Sequence, residues 1–342
     1  MGRTGLLLCL ALAGCGSFAP SSGNPALPSV GAAAAGSVTL GSSSLELLTD
    51  GQVAVDRLLA AVTGARQSLE AEIYEFDRRD LADAMVAAVR RGVALTLIAD
   101  PTVEVNAATL ARLRAAGAVV RLFPDGAMQI DHVKLLLADH AVAIFGGMNW
   151  GQGSYLNHDF DVVLGGPAVA HVEAIFDADM VRTGAATMSS SIAPGDPDEL
   201  RIVTSYPENQ VRPAVLAAVA AARRAVFIQM YVLTDVEVMS ALSAAARRGV
   251  GVWILFDPNQ ELNQAAASRL RQAGVMARFY RTRGEKLHAK AMVVDGRTLL
   301  VGSANWTSSG FTRNHELDVV IRSPGLAAQA LTRMEADWQA SA

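Results

Sequence analysis

The chain contains itself twice. YEFDRRDLADAMVAAVRRGVALTLIADP at 74–101 lies over YVLTDVEVMSALSAAARRGVGVWILFDP at 231–258, an offset of 157 residues. The same offset pairs RLRAAG (112–117) with RLRQAG (269–274); it is 156 between His132 and His288, and 157 again between Asn157 and Asn314. One long repeat in 342 residues predicts a duplicated domain rather than a solenoid of short units.

Each copy alternates strand and helix. SLEAEIYEF and VFIQMYVL read as apolar strands, and VALTLIAD and VGVWILFD as continuous apolar runs of the kind buried on both faces. LADAMVAAVRRG and EVMSALSAAARRG have helical spacing and stop at glycine. HVKLLLA, AVAIFGG, HAKAMVVD and TLLVGSA add short strands. The expected class is α/β, with two similar domains at 45–190 and 198–342 joined through the Ser-, Pro- and acid-rich stretch 186–199.

The first 44 residues read differently. Arg3, an apolar run from Leu6 to Ala13 and then small residues have the layout of a signal peptide, taken as 1–14. Leu12-Ala13-Gly14-Cys15 resembles the lipobox of bacterial lipoproteins, in which the cysteine is lipidated. Residues 15–44, rich in Ser, Gly, Ala and Pro, are then expected to be a flexible tether with a reach of roughly 30 Å. The chain is thus expected to be exported and held to a membrane of a bacterial envelope. Its only cysteines are Cys9 and Cys15, so the body has no disulfide, cysteine nucleophile or cysteine metal site.

Only three lysines occur in the chain, and two follow a histidine by two residues: His132-x-Lys134 and His288-x-Lys290. One such pair is a weak signal. Two in register within a repeat are a strong one, because each trails Asp139 or Asp295, then Asn149-Trp150 or Asn305-Trp306, then Asp159 or Glu316. In a strand, residues i and i+2 share a face, so each His and Lys project together. If the copies pack against each other, two imidazoles, two ammoniums and two amides meet, and an anion such as phosphate belongs between them. Lysine offers a compact point charge where arginine's fork demands bidentate geometry.

These residues resemble the signature of the phospholipase D superfamily, a duplicated His-x-Lys-x4-Asp followed by Gly-Gly or Gly-Ser and Asn. HVKLLLAD…GGMNW and HAKAMVVD…GSANW match it, and the likeness runs from about Leu45 onward. It implies phospholipase D-like α/β domains packed as a pseudo-two-fold dimer, with helices flanking mixed sheets. One histidine, taken as His132, attacks phosphorus; the other, His288, protonates the leaving oxygen. Lys134, Lys290, Asn149 and Asn305 hold the non-bridging oxygens. Asp159 and Glu316 orient imidazoles, with pairing expected to cross between halves, His132 to Glu316 and His288 to Asp159. Asp139 and Asp295 are structural residues, although His140 stands where the first motif usually has glycine. No metal or organic cofactor is implied.

Other residues rank below these. His140, His158, His171 and His315 are expected in packed or surface roles, with His158 and His315 adjoining Asp159 and Glu316. Glu72 and Gln229 occupy matching positions and are expected at the pocket rim. Ser303 aligns with Gly147 and offers a hydroxyl on one side of the site.

The superfamily includes phospholipases, cardiolipin and phosphatidylserine synthases, and nucleases, which share one site chemistry. A net charge of −4 argues against a chain that grips polyanions without sequence preference. FGGMNWGQGSY…FDVVLGGPAV looks like the first half of cardiolipin synthase-type members. The expected substrate is a phospholipid with water or an alcohol as acceptor. Nucleic acid is the alternative, favoured only by the basic stretch RFYRTRGEK before the second motif. A chain carrying both halves is expected to work as a monomer.

Overall fold

Apolar strands that cannot face water on either side must be covered twice, and both halves of the chain meet that demand in the same way. The structure is a computed structural model that describes residues 36–124, 130–186, 199–281 and 284–341. In the first half the chain runs β1 (Val38–Leu40), β2 (Ser43–Leu48), α1 (Gly51–Gly64), β3 (Ser68–Ile73), α2 (Arg79–Arg90) and β4 (Ala94–Ala99). It continues through α3 (Asn106–Ala116), β5 (Val119–Leu122), β6 (Lys134–Ala138), β7 (Val142–Gly146), β8 (Asp161–Gly165) and α4 (Val169–Arg182). The second half runs β9 (Leu200–Thr204), α5 (Val211–Ala221), β10 (Ala225–Met230), α6 (Val236–Arg247), β11 (Gly251–Phe256) and α7 (Leu262–Gln272). It ends with β12 (Met276–Phe279), β13 (Lys290–Val294), β14 (Thr298–Gly302), α8 (Ser308–Thr312), β15 (Leu317–Arg322) and α9 (Pro324–Ala340).

Each half builds one mixed sheet. The first has the order β1-β2-β8-β7-β6-β3-β4-β5, and the second β12-β11-β10-β13-β14-β15-β9. The parallel pairs β3–β4 and β10–β11 are joined by the crossover helices α2 and α6, β4–β5 and β11–β12 are parallel as well, and the other pairs are antiparallel. Helices α1–α3 cover the outer face of the first sheet and α5–α7 that of the second, over two separate apolar cores. A third core lies between the sheets and draws Leu135, Phe145 and Phe176 from one half and Phe227, Val301, Met334 and Trp338 from the other. The α/β class and the duplicated, face-to-face packing expected from the repeat are both present.

Two expectations need correction. The tether does not run to residue 44, because β1 and the start of β2 fall inside it. Ser and Gly dominate the composition there, but Val38, Leu40, Leu45 and Leu47 alternate with polar residues, and that period places Leu45 fully in the central core. The second half holds this hairpin down: Gln329 Nε2 on α9 donates to the Gly36 carbonyl at 3.1 Å. The strand expected across 68–76 stops at Ile73, which releases Tyr74, Glu75 and Phe76 for the site described below. The signal peptide, Cys15, most of the tether and most of the join at 186–199 lie outside the described residues. Among the described residues no helix is long and apolar enough to cross a membrane.

Candidate active site

The two motif segments enter their sheets from loops that cross-pair. His132 N–H donates to the His315 carbonyl at 2.8 Å, and His288 N–H to the His158 carbonyl at 2.9 Å. Each His-x-Lys segment therefore runs beside the His-Asp or His-Glu segment of the other half. This brings Glu316 Oε2 to 2.7 Å from His132 Nδ1 and Asp159 Oδ2 to 2.9 Å from His288 Nδ1. The pairs cross between halves, as the family resemblance implied.

Lys134 and Lys290 project from the first residues of β6 and β13, on the same side as the histidines two residues earlier. Both are almost fully buried, and each ammonium donates to the carbonyl of its own motif histidine. Lys290 Nζ also lies 3.0 Å from His288 Nε2. Tyr74 and Tyr231, at matching positions of the repeat, complete each side. Their ring centroids lie 4.8 and 4.7 Å from the His132 and His288 rings, and 5.1 and 5.3 Å from the Lys134 and Lys290 ammoniums. A cation over a ring face is attracted to it, so the tyrosines help hold buried charge.

Buried charges of one sign displace one another's titration. Burial pushes Lys134 down to about 7, with Lys290 adding to the push and Glu316 opposing it. Burial likewise brings Lys290 to about 8 against the pull of Asp159 and Glu316. His132 sits well below its usual value, through burial first and then Lys134, Lys290 and His288. His288 is also lowered by burial, but Asp159 pulls the other way. The carboxylates differ in turn. Burial raises both; His288 and Lys290 nevertheless hold Asp159 below the usual carboxylate range, whereas Glu316 is lifted to about 7 despite Lys134 and Ser303.

Asn149 and Asn305 sit on loops after β7 and β14, where glycine is needed for close approach. A side chain at Gly146 or Gly302 would collide with Asp161 or Asp318. Those carboxylates accept the N–H groups of Met148 and Ala304, each at 3.1 Å, and so shape the loops just before the asparagines. Asn149 Nδ2 donates to Glu75 Oε2 at 3.2 Å, and Oδ1 of both asparagines is buried with no partner among the described residues.

Beneath this layer the repeat supplies a second. His158 Nε2 bonds Gln229 Oε1 at 2.8 Å and approaches Asp337; His315 Nε2 bonds Asp179 Oδ2 at 2.8 Å and lies 3.8 Å from Glu72. Gln229 is a fully buried partner of His158 and Glu72 a fully buried neighbour of His315, so neither is a rim residue; their strand phase points into the interface between the sheets. Ser303 also departs from expectation: its hydroxyl donates to Glu316 Oε2 at 2.7 Å and so backs His132's partner instead of facing the pocket. Asp139 and Asp295 are structural, each accepting three backbone N–H groups, from residues 66–68 and 223–225. His140 takes the left-handed conformation (φ 56°) that Gly296 takes (φ 65°), so the two turns match. Of the basic stretch before the second motif, Arg278 stacks on Trp338 and donates to its carbonyl, and Arg283 lies outside the described residues.

Several paired residues were visible only as repeated letters. Tyr74 and Tyr231 open the aligned segments, and Asp100 and Asp257 close them. Asp100 takes the N–H of Asp131 at 2.7 Å, and Asp257 that of Leu287 at 2.8 Å, just before each motif histidine. Asn106 holds the Phe76 N–H and the Tyr74 carbonyl, and Asn263 holds the Leu233 N–H and the Tyr231 carbonyl. Their signal was identity at the repeat offset in positions with no reactive role.

Comparison with known proteins identifies the family. The family model described as "Cardiolipin synthase, PLD-like domain" matches residues 58–180 and again 215–338. Cardiolipin synthase A of Erwinia tasmaniensis is 26% identical over 345 residues, covering 86% of this chain and 69% of that protein. Its counterpart in Salmonella arizonae is 26% identical over 333 residues, covering 84% and 67%. Among solved structures, phosphatidylserine synthase of Haemophilus influenzae has a similar fold at 12% identity, with a TM-score of 0.62 over 86% of this chain and 85% of that one. With both repeats matched and both motifs assembled at one site, the chain belongs to the phospholipase D superfamily, as a duplicated PLD-like protein of the cardiolipin synthase type.

Proposed function

We propose that this enzyme is a phospholipid phosphatidyltransferase that works through a phosphohistidine on His132. The observation that carries the reading is the pair of buried imidazoles, each bound at Nδ1 by a carboxylate of the other half and flanked by a buried lysine. Nδ1–H donated to Glu316 leaves the Nε2 lone pair of His132 free to attack phosphorus. The bond from phosphorus to the leaving oxygen breaks, and His288 Nε2 delivers the proton that oxygen needs. The acceptor alcohol then gives its proton back to His288 and displaces His132 from phosphorus. An ionised Asp159 beside His288 favours its protonated form, and the depressed basicity of His132 favours the neutral form a nucleophile requires. Lys134, Lys290, Asn149 and Asn305 supply donors for the non-bridging oxygens, already in place before charge develops.

The relatives named cardiolipin synthase A favour a phosphatidylglycerol donor and a second lipid alcohol as acceptor. Anchoring to an envelope membrane through Cys15, supported by the lipobox-like start, would keep the enzyme on its substrate. Both halves of the site lie in one chain, so a monomer suffices. The test uses protein lacking residues 1–15, radiolabelled phosphatidylglycerol vesicles and EDTA throughout. Cardiolipin should form with wild type and not with His132→Ala or His288→Ala, and alkaline quenching should trap label on wild type but not on His132→Ala. Label on His132→Ala would reverse the assignment. Phosphatidic acid as sole product would make the enzyme a hydrolase, and DNA cleavage with untouched lipid would make it a nuclease.

A further inference from the structure

The two halves also differ in chemistry at three positions that strand register and spacing match. In the second half, Phe227, Gly296 and Leu331 come together as ordinary core. Phe227 and Leu331 are buried, Phe227 stacks on Trp253 with centroids 6.2 Å apart, and a Cβ at Gly296 would touch Leu331 at 3.9 Å. The equivalent residues of the first half are Glu70, His140 and Glu173. Register supports the match: Glu70 pairs with Leu137 as Phe227 pairs with Val293. His140 and Gly296 each follow the motif aspartate, and Glu173 and Leu331 each precede by six residues the aspartate that contacts a deep histidine. Three positions that are apolar or glycine in the second half carry metal-ligating side chains in the first.

We propose that Glu70, His140 and Glu173 bind a divalent transition-metal ion of the zinc type, apart from the phosphate site. One ligand atom from each lies within 4.8 Å of the other two. His140 Nδ1 is 2.5 Å from Glu173 Oε1, and Ser68 Oγ, 3.3 Å from the other ring nitrogen, provides the outer hydrogen bond that orients a ligating imidazole. Glu70 is only 8% exposed, and its Oε2 is buried with no hydrogen-bond partner. A carboxylate left so on a buried strand position costs stability unless a cation or proton satisfies it. Asp177, one turn along α4 from Glu173, adds a further acid whose carboxyl feels Glu173 and His140. The His140 side chain is half exposed, which gives an ion a way in from solvent. One imidazole with carboxylates suits zinc and its neighbours better than magnesium or calcium, which prefer oxygen alone. The bound ion would fasten the turn between β6 and β7 to α4.

The test titrates ZnCl2 into EDTA-stripped, dialysed full-length protein by calorimetry, with MgCl2 as control. Wild type should bind one zinc per chain and unfold at a higher temperature when loaded. His140→Gly restores the residue of the second half in a turn that suits glycine, so it should fold and keep phosphatidyltransferase activity. Its zinc affinity should fall by at least about tenfold, and Glu70→Gln should behave likewise. His132→Ala should bind zinc as wild type does. Equal zinc binding by wild type and His140→Gly would overturn the proposal, as would binding lost in His132→Ala but kept in His140→Gly, or no saturable binding at all.

Discussion

That lysine and not arginine stands at 134 and 290, in a chain with one other lysine, has a residue-scale explanation in their burial. Each ammonium fits between its own histidine's carbonyl and a tyrosine ring, with a carboxylate nearby to offset the cost of leaving water. A guanidinium is larger, planar and charged at any relevant pH, and it would find no room to present its fork. Lys290→Arg is therefore expected to lower kcat by about 10²–10³, the usual loss for a preorganised donor, with little change in KM. Steady-state kinetics on vesicles would check it. The gathering of both histidines and both lysines was legible in sequence because the His-x-Lys pair repeats within the duplicated segment. The buried positions of Glu72, Gln229 and Ser303 were not, because strand phase tells which side a residue faces but not what covers that side.

At the scale of elements, each half builds its site from the same loops at the ends of the same strands. Gly146 and Gly302, which end β7 and β14, leave room for Asp161 and Asp318, which occupy the space a Cβ would take and hold the asparagine loops by a backbone N–H. Both carboxyls are pushed up to about 7, by burial first and then by Asp159 or Glu316. Between the unfolded value near 4 and that folded value, the native state binds the proton and the unfolded state does not. Stability contributed by the neutral form is therefore present below about pH 4 and declines as pH rises toward 7, by up to about 1.4 kcal/mol per pH unit for each group. Asp318→Asn keeps an acceptor for the Ala304 N–H but cannot ionise. It should flatten this decline in chemical denaturation series from pH 4 to 7; an unchanged slope would show that Asp318 is already ionised in the folded protein. Element boundaries were read less well than element types. The hairpin β1–β2 hid in a Ser/Gly-rich stretch because only tertiary contact with α9 rewards its alternating apolar residues.

At the scale of the whole molecule, the pseudo-two-fold arrangement also repeats outside the site. Val105 and Leu262, at matching positions, are 53% and 64% exposed. Each stands one residue before the asparagine that clamps the tyrosine loop of its half. On the proposed phospholipid reading these two side chains would insert into a bilayer, and fully burying a Val or Leu is worth about 1.5–3 kcal/mol. Val105→Asp with Leu262→Asp should lower kcat/KM on vesicles by about tenfold or more, while hydrolysis of a soluble short-chain phosphodiester stays at wild-type rate. Comparing the two substrates separates membrane contact from damage to the site.

The sequence by itself determined the duplication, the α/β class and the residue types gathered at the candidate site, because repeats, hydrophobic periods and paired motifs are local and countable. The tertiary structure alone decided which partners each of those residues meets. His132 differs from His288 because Glu316 and Ser303 stand behind one, and Asp159 and Gly147 behind the other. Those partners arrive from the opposite half across a buried interface, where desolvation amplifies small differences in neighbouring charge that no spacing in the chain records.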